Sequence, residues 1–483
     1  MKIIFTLSVF LLILSSSQAQ GFKVTLETPN YKSGLAYLTY YFGKNMNIED
    51  SAILSNKGIA VFQKNEKLLP GVYSIVFPGK NKLFDFLVGK EQVIHIKADT
   101  SDLLNKTKVT GSEENILFQQ YQIMIASKGA LLQKELAAFK NSKNKSDSDL
   151  HAKKYADLNR DLNNYRDVII SQHPNSMLAA LFTSMKEPKI LNSHPVTRED
   201  SVNNYQYYKK HYWDGITFMD DRIIRTPFFL PKVEKYFREV VSQAPDSIIR
   251  ESDYLLLLAR SSPEMYKFLL NWLTDEYINP RYMGQDAVFV HLFERYHSKG
   301  VSDWLNEKQM KAISDRAYML MSNLIGEQAA NLEMTDTSEI PSSLYNIDSS
   351  YIVICFWDPT CSHCRVEVPR LDSIYNARWK QEGVKMYGVL SDSKEKQKWK
   401  EFIKEHHLHW INVYQTDEQK KAIEDAKKPP FKQLYDVVQT PTLYLLDKDK
   451  RIVAKKLTPE QMNDLLQTKI KNQSLKPVAN TVR

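Results

Sequence analysis

Only three cysteines, Cys355, Cys361 and Cys364, occur in 483 residues. That is too few for a disulfide framework in a chain of this size, so stability must come from packed cores. No apolar run reaches the roughly 20 residues needed to cross a bilayer as a helix. No repeat of fixed period is present, and no dense basic tract is interleaved with stacking aromatics. The formal charge of +8 is instead spread over many Lys-rich segments with interleaved acids. That pattern favours solubility over nucleic-acid binding, and no nucleic-acid partner is expected. A second Cys-x-x-Cys is also missing, which excludes the usual four-thiolate zinc site. Arg365 follows the last cysteine where covalent haem would require histidine. No metal and no cofactor are expected.

The chain begins with Lys2, an apolar run from Ile3 to Leu14, and small residues at Ser17-Gln18-Ala19. This reads as a cleavable secretory signal peptide over residues 1–19, and it implies export to the periplasm. No cysteine follows the run, so a lipid anchor there is not supported. At about 150 residues per domain, the length suggests roughly three domains. Residues 20–112 alternate apolar and polar side chains in short bursts such as Phe22-Lys23-Val24-Thr25-Leu26, broken by Pro29-Asn30, Asn56-Lys57-Gly58 and Pro70-Gly71. This rhythm predicts an antiparallel β-sandwich. Over 113–324 the period becomes helical, as in Leu117, Tyr121, Met124 and Ile125, and the stretch reads as an α-helical region. Within it Asn141 to Asp149 reads as an exposed loop, Asp220-Asp221 as a cap or turn rather than a metal site, and Tyr205 to Trp213 as helix core. Residues 325–472 alternate strands and helices, which predicts an α/β domain, and 473–483 read as a flexible tail.

The three cysteines lie within ten positions of one another, and such clustering points to chemistry. Tyr351 to Trp357 is an unbroken apolar run, rich in β-branched types, that reads as a buried central strand. Asp358-Pro359-Thr360 ends it, and a helix is expected from the cysteine pair through Leu371 and Tyr375. A Cys-x-x-Cys at a strand-to-helix junction places Cys361 against free backbone N–H groups and the positive end of the helix dipole. Thiolates so placed have pKa values of about 3.5 to 7.5, against about 8.5 for a free thiol. Cys361 is therefore the expected nucleophile, and the more buried Cys364 the resolving thiol. His363 adds charge or a hydrogen bond that favours the thiolate and a more oxidising pair. Pro369 falls inside the expected helix, and Glu367 returns to the face of Cys364 one turn on. The His406-His407-x-His409 cluster reads as a solvated helix end.

Cys361-Ser362-His363-Cys364, Phe356-Trp357, Glu367-x-Pro369 and Thr440-Pro441-Thr442 together resemble the thioredoxin family, nearest its TlpA/ResA-like exported branch. The resemblance spans about 325 to 472. The preceding β-rich and helical regions resemble those found ahead of such modules in exported bacterial proteins. The resemblance implies a thioredoxin fold, a cis bond before Pro441 beside the cysteines, and pairing of substrate with the Thr440 backbone. It also implies substrate contact by Trp357 and proton-transfer tuning by Glu367. Thioredoxins proper often carry a buried acid six residues before the first cysteine; here that position is Cys355, which reads as an inert core thiol.

The expected function is thiol-disulfide oxidoreductase, acting on protein thiols and disulfides and served by an upstream redox partner for which the membrane is one location. Reduction, oxidation and isomerisation all stay open. The alternative is a cell-envelope binding or scaffold protein in which the thioredoxin module is minor or vestigial. The intact cysteine pair, His363 and Thr440-Pro441 favour catalysis.

Overall fold

The computed structural model describes residues 21–192 and 195–474. The signal peptide expected at 1–19 and most of the tail expected at 473–483 lie outside them. No helix among the described residues is long and apolar enough to cross a membrane. The chain divides into two compact units, one holding residues up to 241 with 257–268, the other 242–256 with 269 onward. The helical stretch is thus shared between the two.

The first unit contains eight strands: β1 (Phe22–Glu27), β2 (Leu35–Phe42), β3 (Asn45–Ile53), β4 (Ile59–Lys64), β5 (Gly71–Val76), β6 (Leu83–Val88), β7 (Val93–Lys97) and β8 (Lys108–Thr110). They form two four-stranded sheets, ordered β4-β1-β7-β8 and β3-β2-β5-β6. Period-two alternation explains the sandwich. Phe22, Val24, Leu26 and Phe62 from one sheet share a core with Leu38, Tyr73, Ile75 and Phe86 from the other, while Lys23 and Glu27 face outward. Pairing is antiparallel except between β1 and β7, which run parallel.

Helices Glu113–Asn141 and Lys145–Gln172 follow, with Tyr121 stacked on Tyr165. Here the expected loop at Asn141 to Asp149 shrinks to residues 142–144. Its Asn, Ser and Asp residues are cap chemistry: the Asn144 side chain accepts from the Asp147 N–H and starts the second helix. Tyr205 to Trp213 also departs from expectation. The helix Arg198–Lys210 buries no residue, and only Tyr212, beyond its end, is core, where its ring meets the Lys232 ammonium at 4.4 Å. Asp220 caps the turn Asp221–Arg225 and pairs with Arg222.

The second unit is built on a seven-stranded sheet of β9 (Glu333–Asp336), β10 (Pro341–Ser343), β11 (Tyr351–Trp357), β12 (Lys385–Leu390), β13 (Ile411–Tyr414), β14 (Thr442–Asp447) and β15 (Ile452–Lys455). Its order is β10-β9-β13-β12-β11-β14-β15. Every residue of β11 is buried, because the strand is central and covered on both faces. Val353, Cys355 and Trp357 enter one core, and Ile352, Ile354 and Phe356 enter the other. Gly388, opposite Cys355 in β12, leaves little room for a side chain: a Cβ there would lie 3.0 Å from the Asn412 side-chain oxygen, 3.1 Å from the Trp410 indole nitrogen and 3.2 Å from that of Trp357.

Two buried ionic clusters tie the helices of this unit to its sheet. Lys455 Nζ pairs with Asp286 and donates to the Asn323 carbonyl and side chain, each at 2.6 Å. Asp436, wholly buried, holds Arg316 at 2.7 Å and also Lys456. Removing one partner of a buried pair leaves an uncompensated charge, at about 3–5 kcal/mol. Lys455→Met should therefore lower the unfolding free energy, read from denaturant unfolding, by an amount of that order. The double variant Lys455→Met/Asp286→Leu should recover most of the loss; equal losses in single and double variants would show that the pair does not matter as a pair.

Candidate active site

β11 stops at Trp357, and the chain turns sharply before the helix Ser362–Ile374 begins. The Asp358 carboxylate accepts the Thr360 N–H at 2.7 Å, and the Asp358 carbonyl accepts the Cys361 N–H at 3.2 Å. This fixes Cys361 at the helix N-cap, with extended backbone, so that its sulfur lies over the open first turn. Pro369 sits inside the helix.

The two thiols of the motif are opposites. Cys361 is partly exposed, whereas Cys364 and Cys355 are buried, and none of the three is in a disulfide. Burial pushes the Cys361 thiol up, but the backbone N–H of Cys364, the Thr440 side chain, the Cys364 thiol and the backbone N–H of His363 together outweigh it and hold Cys361 below the ordinary thiol value. Burial also acts on Cys364, where it dominates: that thiol is pushed up to about 12, even though its sulfur receives the Asp358 N–H at 3.5 Å. Cys355 stands well above the thiol range, through burial and then the neighbouring Cys364.

The Thr440-Pro441 bond is cis, and the Cys361 thiol donates to the Thr440 carbonyl at 3.3 Å. A groove of about 550 Å³ runs alongside, walled by His363 and Glu367 from the helix, residues 439–443, and residues 456–460. One Glu367 oxygen lies 3.8 Å from Arg370, and the other is buried without a hydrogen-bond partner. Six of the seven expected site residues, Cys361, His363, Cys364, Glu367, Thr440 and Pro441, thus gather at this end of the sheet.

Trp357 does not belong with them. It is 0% exposed, with its ring packed on Phe402 and Trp399, so it supports the strand end from inside and cannot meet a substrate. The last position of a fully buried strand points into the core even beside a surface motif. Sequence reasoning missed Asp358 as the donor to Cys364, and missed the wall formed by Lys456, Leu457 and Thr458. The last strand, β15, ends at Lys455, because Lys456 turns left-handed (φ 59°). Nothing in its residue types announces that turn.

Because the folded pKa of Cys361 is lowered, its thiolate is present from below the ordinary thiol range upward. Alkylation by iodoacetamide should therefore reach half its maximal rate at a lower pH than for a free thiol. Cys364 and Cys355 should stay unmodified in the folded protein up to about pH 9. Equal labelling of all three cysteines at neutral pH, read by mass spectrometry, would contradict this arrangement.

Residues 325–455 match the family model of the AhpC/TSA family. No curated protein matches the chain. Among solved structures, a domain of a possible thiol-disulfide isomerase from Cytophaga hutchinsonii is 32% identical, over 32% of this chain and 97% of that one (TM-score 0.28). The thioredoxin domain of a thiol-disulfide oxidoreductase from Bacteroides vulgatus is 29% identical, over 30% and 97% (TM-score 0.27). A thioredoxin-like protein from Bacteroides caccae is 21% identical, over 59% and 98% (TM-score 0.42). With its cysteine pair at the strand-to-helix junction beside a cis-proline, the chain belongs, through residues 325–455, to the thioredoxin-like thiol-disulfide oxidoreductases of the AhpC/TSA family.

Proposed function

We propose that this protein exchanges disulfides with protein substrates through Cys361 and Cys364, outside the cytoplasm. The observation that carries the reading is the opposed environment of the two thiols. One is lowered, partly exposed and bonded to the Thr440 carbonyl; the other is raised and buried directly behind it. A nucleophile must be ionised and reachable, while a resolving thiol must be close and protected from solution. Lys2 and the apolar run to Leu14 support export.

The Cys361 thiolate attacks one sulfur of the substrate disulfide. The other substrate sulfur leaves as a thiolate and takes a proton, and a mixed disulfide joins Cys361 to the substrate. Cys364 then loses its proton and attacks the Cys361 sulfur. The Cys361–Cys364 disulfide forms, the second substrate sulfur leaves as a thiol, and two electrons have passed to the substrate. An upstream dithiol partner returns them; run backward, the same steps oxidise a substrate dithiol. A thiol as high as Cys364 needs help to ionise, and Glu367, on the groove wall with one oxygen unpartnered, is suited to receive that proton. The main-chain N–H and carbonyl groups of an extended substrate segment would pair with the backbone at Thr440.

Cys361→Ser should abolish exchange, and Cys364→Ser should accumulate the mixed disulfide. The reduction potential of the pair, read by thiol trapping in glutathione or dithiothreitol buffers, separates the directions. A value of about −120 to −180 mV places the protein with oxidants and isomerases, as His363 favours, and about −270 mV or below with reductases. Failure to form the disulfide across that range would sink the exchange reading and leave a binding or scaffold role.

A further inference from the structure

The redox groove is continued by a second cavity. Lys456 and Leu457 wall the groove on one side and a pocket of about 540 Å³ on the other. The far wall of this pocket is the loop 279–284, which lies between the helices Pro263–Ile278 and Asp286–Arg295 and belongs to the same compact unit. The loop is pinned to the sheet where the Lys455 N–H meets the Met283 sulfur at 3.3 Å. Its outer side chains remain open: Arg281 is 60% exposed, Tyr282 57% and Met283 45%. Arg, Tyr and Met are side chains that recognition surfaces favour.

The pocket is cationic. Lys455 is matched by Asp286, but Arg316 and Lys456 share the single buried carboxylate of Asp436 and keep one positive charge in excess. Arg281 adds a guanidinium whose acidic partner, Glu276, lies 3.8 Å away. Leu320 and Leu457 supply apolar wall between these charges. An extended chain seated against Thr440 that passes over Lys456 and Leu457 meets this surface next.

We propose that this pocket is a substrate subsite that selects polypeptides carrying acidic side chains beside the reacting cysteine. It rests on the exchange reading above. The occupant is the flank of the substrate chain, recognised by Arg281 and the Arg316–Lys456 pair through its carboxylates and by Tyr282, Met283 and Leu457 through its apolar atoms. Exposed ion pairs are individually modest, so several together give a preference of about three- to tenfold, which weakens as salt rises.

The test uses the full-length pre-reduced protein and three synthetic disulfide-linked peptide pairs that differ only in glutamate, serine or lysine flanks. Exchange rates should rank glutamate above serine above lysine, and the spread should close at high salt. Arg281→Glu should reverse or erase the ranking, which general loss of folding would not do, since that lowers all three rates alike. Lys385→Glu changes the net charge equally at the start of β12, the end of that strand away from Trp357 and the cysteine pair. It should keep the ranking, so a ranking lost there too would assign the preference to overall charge and overturn the subsite. Equal rates for glutamate and lysine flanks, or a ranking that Arg281→Glu leaves intact, would overturn it as well while exchange itself stands. No reaction with any of the three peptides would instead overturn the exchange reading beneath it.

Discussion

The abrupt end of β11 against the first turn of the following helix is the constraint on which the redox chemistry depends. A central strand buried on both faces cannot bend gradually; it has to stop, and Asp358-Pro359-Thr360 stops it within three residues. The stop delivers Cys361 to the N-cap, where the backbone N–H groups ahead of it have no helical partner. Cys364, one turn later on the same face, points back toward the strand it has just left and is buried against it. That one backbone turn thus contributes to both the lowered first thiol and the raised second one. No charged side chain is needed to create the asymmetry.

Much of this was legible because the signals were local. The uninterrupted run Tyr351 to Trp357, the turn residues after it and the Cys-x-x-Cys after those determine the strand, the junction and the opposed burial of the two thiols within fourteen positions. Thr440-Pro441 became meaningful only through family resemblance, since a lone X-Pro pair is usually trans. The sandwich was readable from period-two alternation, but the parallel β1–β7 pair was not, because strand direction depends on connections rather than on residue pattern. Polar caps imitate loops, which is why the segment before Asp149 read as loop when Asn144 in fact starts a helix. Trp357 was misplaced for a different reason. The resemblance implies substrate contact there, whereas the pleat turns that side chain into the core.

The groove walls were the least legible part, since they depend on residues brought together from distant positions. Asp436 and Lys456 both adopt left-handed backbone, at φ 45° and 59°, a conformation that ordinary side chains rarely take. Both are held there by the same ionic cluster, through Asp436 to Lys456 and Arg316. Such strain persists only where surrounding structure over-determines it. Here it occurs four residues before Thr440 on one segment, and immediately after β15 on the other. These two segments form the wall opposite the active-site helix. Arg316 comes from the helix Glu307–Met321, ahead of the family-matched segment, so the geometry of the redox groove is fixed partly by residues outside the thioredoxin-like fold. An isolated thioredoxin-like segment would lose Arg316, one of the two cations that hold Asp436. The helix Glu307–Met321 is therefore part of the groove's construction rather than a spacer before it.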